Sequence, residues 1–152
     1  MEIQYIIKED DTLAVTLIPQ PDPVIHIPAE IDGRPVTSLG SDIIPLGVKT
    51  RVRELYLPDT LCSIGSRALN DLRYLSKLVL PEGLAEIGDF GIFTCPDLTE
   101  LYIPASVHAF GRCAFGYMYE HGRAYRLNYF TLLCEPDSPA RRFAEENQLV
   151  WK

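Results

Sequence analysis

The sequence predicts an α/β solenoid, in which short parallel strands joined by short helical turns stack rung on rung. A β-hairpin is expected to cover one end and a helix the other. Three observations carry that prediction. Pro58, Pro81 and Pro104 lie 23 residues apart, and Gly65, Gly88 and Gly111 keep the same interval. Each glycine follows an apolar residue (Ile64, Ile87, Phe110) and leads into a small-then-apolar pair: Ala68-Leu69, Gly91-Ile92, Ala114-Phe115. A looser earlier copy, VIHIPAEIDGRPVTSLGSDII, places Pro28, Leu39-Gly40 and Ile43-Ile44 in the matching roles. A fixed period of this length marks a repeat array. A unit so short cannot bury its own apolar face, and stacking the copies does so.

Each element follows from the residues. The opening IQYIIKEDDTLAVTLI alternates at Ile3, Tyr5 and Ile7, and again at Leu13, Val15 and Leu17, around a polar turn. That is a hairpin, suited to covering the unpaired edge of the first rung. Within a repeat, LYLP alternates apolar and polar and reads as a short strand ended by proline, which cannot donate to a ladder. Leu61 and Ile64 turn the chain inward again, and Gly65 supplies a bend. SRALNDL is long enough for about two helical turns, with Ser66 as its cap and Asp89 in that place one copy later. Stacked strands lie ~4.8 Å apart, so about five rungs make a block of roughly 20–25 Å. At the far end, DSPARRFAEENQLVW reads as a helix with Ser138 at the N-cap, Pro139 in the first position, Phe143 and Ala144 inward and Asn147 at its end. LVW then closes over the last rung. The expected organisation is a single domain: hairpin cap 1–23, repeats 24–115, inserted loop 116–129, last strand and helical cap 130–152.

Bulk properties narrow the function. The chain has 152 residues, 47% of them hydrophobic, which suits one packed domain. A net charge of −7 argues against a nucleic-acid or anionic-membrane partner, since both need a basic surface. No window holds 18 consecutive apolar residues, so no membrane insertion is expected. The start, MEIQYIIKEDD, has no basic stretch followed by an apolar run, so the chain as written is expected to be cytoplasmic, with a cell-surface location open if it is a fragment. Cys62, Cys95, Cys113 and Cys134 form no C-x-x-C pair and no zinc pattern. They are expected to be free thiols, with no cofactor and no metal.

The pattern apolar-x-apolar-Pro, apolar-x-x-Ile-Gly, Ala-Phe and Cys, written here as LYLPDTLCSIGSRAL, LVLPEGLAEIGDFGIFTC and LYIPASVHAFGRCAF, resembles the BspA-type leucine-rich repeat. IPAEIDGRPVTSLG and SPARRFAEENQLVW look like the way such arrays open and close. The resemblance implies a leucine-rich repeat solenoid. It also implies a protein-binding role without catalysis, since such proteins are known mainly from bacteria and some protozoa, often as surface proteins that bind other proteins. A surface adhesin or self-assembling module is the alternative. This chain departs from the pattern in having few repeats and in breaking its period after Phe115. Leu69 and Ile92 each precede the next strand by nine residues, whereas Phe115 precedes Phe130 by fifteen, so about six residues are inserted.

The inserted stretch, GYMYEHGRAYRLNYF, holds four of the eight tyrosines. Tyr, Arg and Met offer large contact area with a polar handle and are enriched at protein interfaces. Insertions in repeat arrays map to loops on one face, often the binding face. Tyr119, His121, Arg123, Tyr125 and Arg126 are therefore the first partner-binding candidates. Tyr117 and Tyr129 adjoin the core and suit either packing under the cap or exposure. The second candidate is the outward row of the strands, His26, Tyr56, Val79 and Tyr102, flanked by Glu54, Lys77 and Glu100. It reads either as a shallow strip for a protein or peptide, with Tyr56, Tyr102, Lys77 and Glu100 as contacts, or as a self-supporting ladder. Cys113 and His108 share one copy, but Cys113 fills the slot held by Arg67 and Phe90 elsewhere, so a Cys–His nucleophile is not expected. Cys95 falls where a small buried hydrophobe fits. Asp10-Asp11 reads as a turn and Glu145-Glu146 as a solvated helix face. No phosphate loop, nucleophile elbow or His-Glu-x-x-His occurs. No catalytic residue is assigned.

Overall fold

The computed structural model describes residues 1–152. The chain opens with β1 (Gln4–Ile7), β2 (Leu13–Leu17), β3 (Val24–His26), β4 (Glu30–Ile31) and β5 (Arg34–Leu39), followed by a 3-10 turn at Leu46–Arg51. The regular coils then contribute three short strands each. These are β6 (Glu54–Tyr56), β7 (Ser63–Ile64) and β8 (Leu69–Asn70); β9 (Lys77–Val79), β10 (Glu86–Ile87) and β11 (Ile92–Phe93); and β12 (Glu100–Tyr102), β13 (Ala109–Phe110) and β14 (Tyr117–Glu120). β15 (Arg123–Arg126), β16 (Thr131–Leu133), α1 (Pro139–Glu146) and β17 (Val150–Trp151) finish the chain.

Equivalent strands stack in parallel, one rung above the next. β7 pairs with β10 and β10 with β13, setting Ser63 beside Glu86 and Glu86 beside Ala109. β5 extends this sheet to β2, and the hairpin puts β1 at its edge. β8, β11, β14 and β15 form a second sheet. The third side is split into β3-β6-β9 and β12-β16-β17. This is a leucine-rich repeat solenoid of mostly strands.

Stacking places the repeated apolar letters in continuous inner rows. Ile25, Leu55 and Leu78 stand in register, and Leu57, Leu80 and Ile103 are buried beside them. One cluster of 36 buried residues runs from Leu13 to Leu149. Phe110, Phe115 and Phe143 close it under α1, with Phe143 centred 5.0 Å from Phe110 and 4.9 Å from Phe115. The helix begins as expected: the Ser138 hydroxyl accepts from the Arg141 N–H at 3.3 Å, Pro139 leads the first turn and Asn147 ends it.

Two local expectations give way to a different solution. Ser66–Leu72 does not form helical turns. Arg67, Phe90 and Cys113, one slot 23 residues apart, all take left-handed backbone (φ 58, 55 and 50), which interrupts a helix. The backbone groups bond sideways instead: Arg67 N–H to the Asp89 carbonyl at 3.0 Å, Leu69 N–H to Gly91 and Ile92 N–H to Ala114, both at 2.9 Å. Every rung offers its neighbours such partners, so the inter-rung ladder satisfies the groups an intrahelical bond would use. Nor are the repeat glycines there for a bend. A Cβ at Gly65 would lie 2.5 Å from the Leu39 carbonyl oxygen, and one at Gly88 2.9 Å from the Ser66 nitrogen. The rungs approach too closely here for any side chain. Ser66 and Asp89 also lace rungs together rather than capping helices: the Ser66 hydroxyl donates to the Asp89 carbonyl, and the Asp89 carboxylate accepts from the Arg112 N–H at 2.8 Å.

Candidate functional site

The stretch 116–129, expected as a loop, holds an antiparallel pair of strands. Tyr117 stands opposite Arg126, Met118 opposite Tyr125, Tyr119 opposite Ala124 and Glu120 opposite Arg123. The turn is His121-Gly122, both left-handed at φ 52 and 84, the backbone that a two-residue hairpin turn requires. The period-2 pattern Tyr-x-Tyr and Arg-x-Tyr around His-Gly was the signal for it, since alternation either side of such a dipeptide marks a hairpin.

The stack anchors this hairpin along β14. Phe93 pairs with Tyr117 across β11, and the buried Thr94 hydroxyl accepts from the Tyr119 N–H at 2.9 Å. Tyr117 is half-buried and its hydroxyl donates to Asn147 Oδ1 at the helix end, 3.2 Å away. Beyond that the hairpin projects. All four residues of β15 are exposed, Tyr119 is 53% exposed and Tyr129 is 86% exposed. The Arg123 guanidinium lies over the Tyr125 ring, 5.1 Å from its centroid, and its Nε donates to the Tyr125 hydroxyl at 3.1 Å. Held this way, the two side chains present one flat amphipathic surface.

Two clefts flank the hairpin. One, of about 300 Å³, lies between Tyr119 and the rungs below, with Arg67, Arg73, Asn70, Phe93 and Thr94 in its walls. Arg67, Arg73 and Thr94 were not among the sequence candidates. They sit in variable repeat slots, and only the stacking of β8, β11 and β14 brings them to Tyr119. The other cleft, of about 540 Å³, separates Tyr125 and Arg126 from the end of α1, where Arg126 Nη1 donates to the Gln148 carbonyl at 3.3 Å.

Tyr119, His121, Arg123, Tyr125 and Arg126 thus share one hairpin. Tyr56, Lys77, Tyr102 and Glu100 lie on another side of the coil. There His26 stacks on Tyr56 at 4.4 Å and 7°, the Tyr56 hydroxyl donates to Glu54 at 2.6 Å, and Lys77 sits 5.4 Å from the Tyr56 ring centre. The row is in register through His26, Tyr56 and Val79, but Tyr102 and Glu100 belong to the separate sheet built on β16.

The thiols are free. Burial pushes the Cys95 thiol up to about 12, and burial raises those of Cys113 and Cys134 as well. An activated cysteine nucleophile needs the opposite shift. No helix is long and apolar enough to cross a membrane.

A family model described as a BspA type leucine-rich repeat region (6 copies) matches residues 48–123. The chain belongs to this BspA-type leucine-rich repeat family. Among solved structures, it is similar to a leucine-rich repeat protein from Bacteroides capillosus, with 26% identity and a TM-score of 0.68 over 88% of this chain and 94% of that one. The T. pallidum leucine-rich repeat protein shares the fold at 20% identity, with a TM-score of 0.67 over 86% and 68% of the two chains. A Bacteroides ovatus leucine-rich repeat protein shares it at 22% identity, with a TM-score of 0.57 over 90% of this chain and 40% of that one. No curated protein matches. The family match runs through the coils into the turn of the projecting hairpin.

Proposed function

We propose that this BspA-type array is a non-catalytic docking scaffold for a protein partner, engaged through the β14–β15 hairpin and the cleft between Tyr119 and Arg67. The projection of Tyr119, Tyr125 and Arg123 from a stacked, pre-ordered base carries this reading. Rigid presentation leaves little conformational freedom to lose on docking, and a few aromatic and arginine anchors supply most of the energy at such surfaces. Local charge favours an acidic partner. Four arginines (67, 73, 123 and 126) against three carboxylates (Asp71, Glu120 and Glu146) lie around the hairpin and its two clefts, with Arg73 paired to Asp71 at 2.7 Å, in a chain whose net charge is −7. A carboxylate-bearing protein surface fits that local excess, because arginine pairs with carboxylates in a fixed fork.

The test is capture of partners on immobilised chain, comparing wild type with Tyr119→Ala/Tyr125→Ala and with Tyr56→Ala/Tyr102→Ala. Loss of the captured species in the first variant alone, at an unchanged melting temperature, is expected. Loss in the second alone would transfer the role to the strand row. A collapse of thermal stability in the first would show that the two tyrosines are structural.

A further inference from the structure

We propose that two copies of the chain pair through β1, edge to edge and antiparallel, into a two-fold dimer. β1 ends its sheet, with β2 on one side and no strand on the other. The Lys8 N–H donates across the hairpin to the Thr12 carbonyl at 2.8 Å. Alternation along an antiparallel strand then aims the backbone groups of Ile6 and Gln4 at β2 and those of Ile7 and Tyr5 at the open edge, with Ile3 next in the same series. The one irregularity of the hairpin, an extra residue at Thr16, falls on β2 and leaves the free edge regular.

An antiparallel mate must therefore set odd-numbered residues against odd-numbered residues. Of the registers that do so, the one placing Tyr5 opposite Tyr5 of the second copy engages Ile3, Tyr5 and Ile7 of both strands, each facing pair able to exchange two backbone bonds. It also sets Glu2 opposite Lys8 of the second copy, and a two-fold axis makes that charge pair twice. Glu2 already lies along this face, accepting from Gln4 Nε2 at 3.0 Å. The apolar row is completed too. Ile3 and Tyr5 pack against the core, while Ile7, next in the row, is 53% exposed with no strand beyond it. In the dimer it meets Ile3 of the second copy. Ile6, 57% exposed on the opposite face, meets the Gln4 side chain. Self-complementarity of charge and of the apolar row selects a second copy over an unrelated strand. Nothing blunts this edge, since Ile3–Ile7 carries neither proline nor charge, whereas β15 carries two arginines.

Sedimentation equilibrium of the full chain, from low micromolar up to about 500 μM, tests the pairing because a dimer follows mass action. A monomer–dimer equilibrium is expected. Ile7→Lys abolishes it. Lys8→Glu weakens it about tenfold by turning two attractions into two repulsions, and adding Glu2→Lys restores it. Glu2 is exposed and Lys8 half-buried, and neither belongs to the core, so the charge series is expected to read the register without disturbing the fold; melting curves of each variant verify this. A monomer throughout overturns the proposal. So does a dimer indifferent to the charge series, or one lost in Tyr125→Ala and kept in Ile7→Lys. Partner capture through β14–β15 is independent of these variants and stands or falls separately.

Discussion

Each of the two longest sheets ends in a β-hairpin, and the two hairpins are used in opposite ways. In β1–β2 the inner strand belongs to the core: Leu13 and Val15 are fully buried, and β2 continues the main sheet beside β5. In β14–β15 the strand attachment is one register pair, Phe93 with Tyr117, plus the bond from the Tyr119 N–H to Thr94, with side-chain tethers from Tyr117 to Asn147 and from Arg126 to the Gln148 carbonyl, and the outer strand is wholly exposed. Turn chemistry does not separate them, since Asp11 and His121 both take left-handed backbone at φ 69 and 52. Side-chain pattern does. Leucine, alanine and valine in β2 make that hairpin a foundation, whereas tyrosine and arginine in β14–β15 make the other a presented edge.

The largest expected contrast lies in stability. Leu13→Ala removes a fully buried side chain at the base of the stack and is expected to cost about 2–5 kcal/mol in urea unfolding. Equal sensitivity of the inserted hairpin would break the comparison. Its probe is Gly122→Val, which forces a β-branched residue into left-handed backbone for about 1–2 kcal/mol. Amide exchange is expected to accelerate over Tyr117–Arg126 and to stay slow in β8 and β11. Acceleration across β11 as well would mean that the hairpin and the stack open together.

A smaller effect reads the tether to the helical cap. Tyr117→Phe deletes the bond to Asn147 and is expected to cost about 1 kcal/mol. Tyr119→Ala, whose ring faces solvent and the cleft, is expected to stay within about 0.5 kcal/mol of wild type. If the two losses exchanged places, Tyr119 would be a support and Tyr117 a presented residue.

The sequence disclosed what repeats and concealed what depends on neighbouring rungs. The 23-residue spacing of Pro58, Pro81 and Pro104 was enough to stack Leu57, Leu80 and Ile103, because periodic apolar letters have one way to share a core. It misled at Ser66–Leu72, where local length and a capping serine argue for a helix and the partners that decide otherwise sit 22 or 23 residues away. The glycines were legible as required positions but not for their reason, since close approach between backbones is invisible within one repeat. The same limit applies to the candidate site. Tyr119 and Arg123 stood out by composition, while Arg67, Arg73 and Thr94 join them only through the pairing of β8, β11 and β14.

The smallest contrast concerns alkaline pH, where both hairpins carry a tyrosine raised above its usual value of about 10, from different causes. At Tyr5 the first cause is the hydrogen bond its hydroxyl donates to the Asp32 carboxylate. At Tyr117 it is burial. The sign is the same for both. The folded chain holds the neutral phenol more firmly than the unfolded chain does, so the contribution is complete below pH ~10 and fades as pH climbs through the folded value. Ultraviolet titration, with Tyr5→Phe and Tyr117→Phe assigning the two steps, separates the causes. Asp32→Ala is expected to return Tyr5 toward the ordinary value and to leave Tyr117 where it was. Desolvation is the second cause at Tyr5, so persistence of the whole shift without Asp32 would mean that desolvation leads in both hairpins, and the distinction between them would then rest on their strands alone.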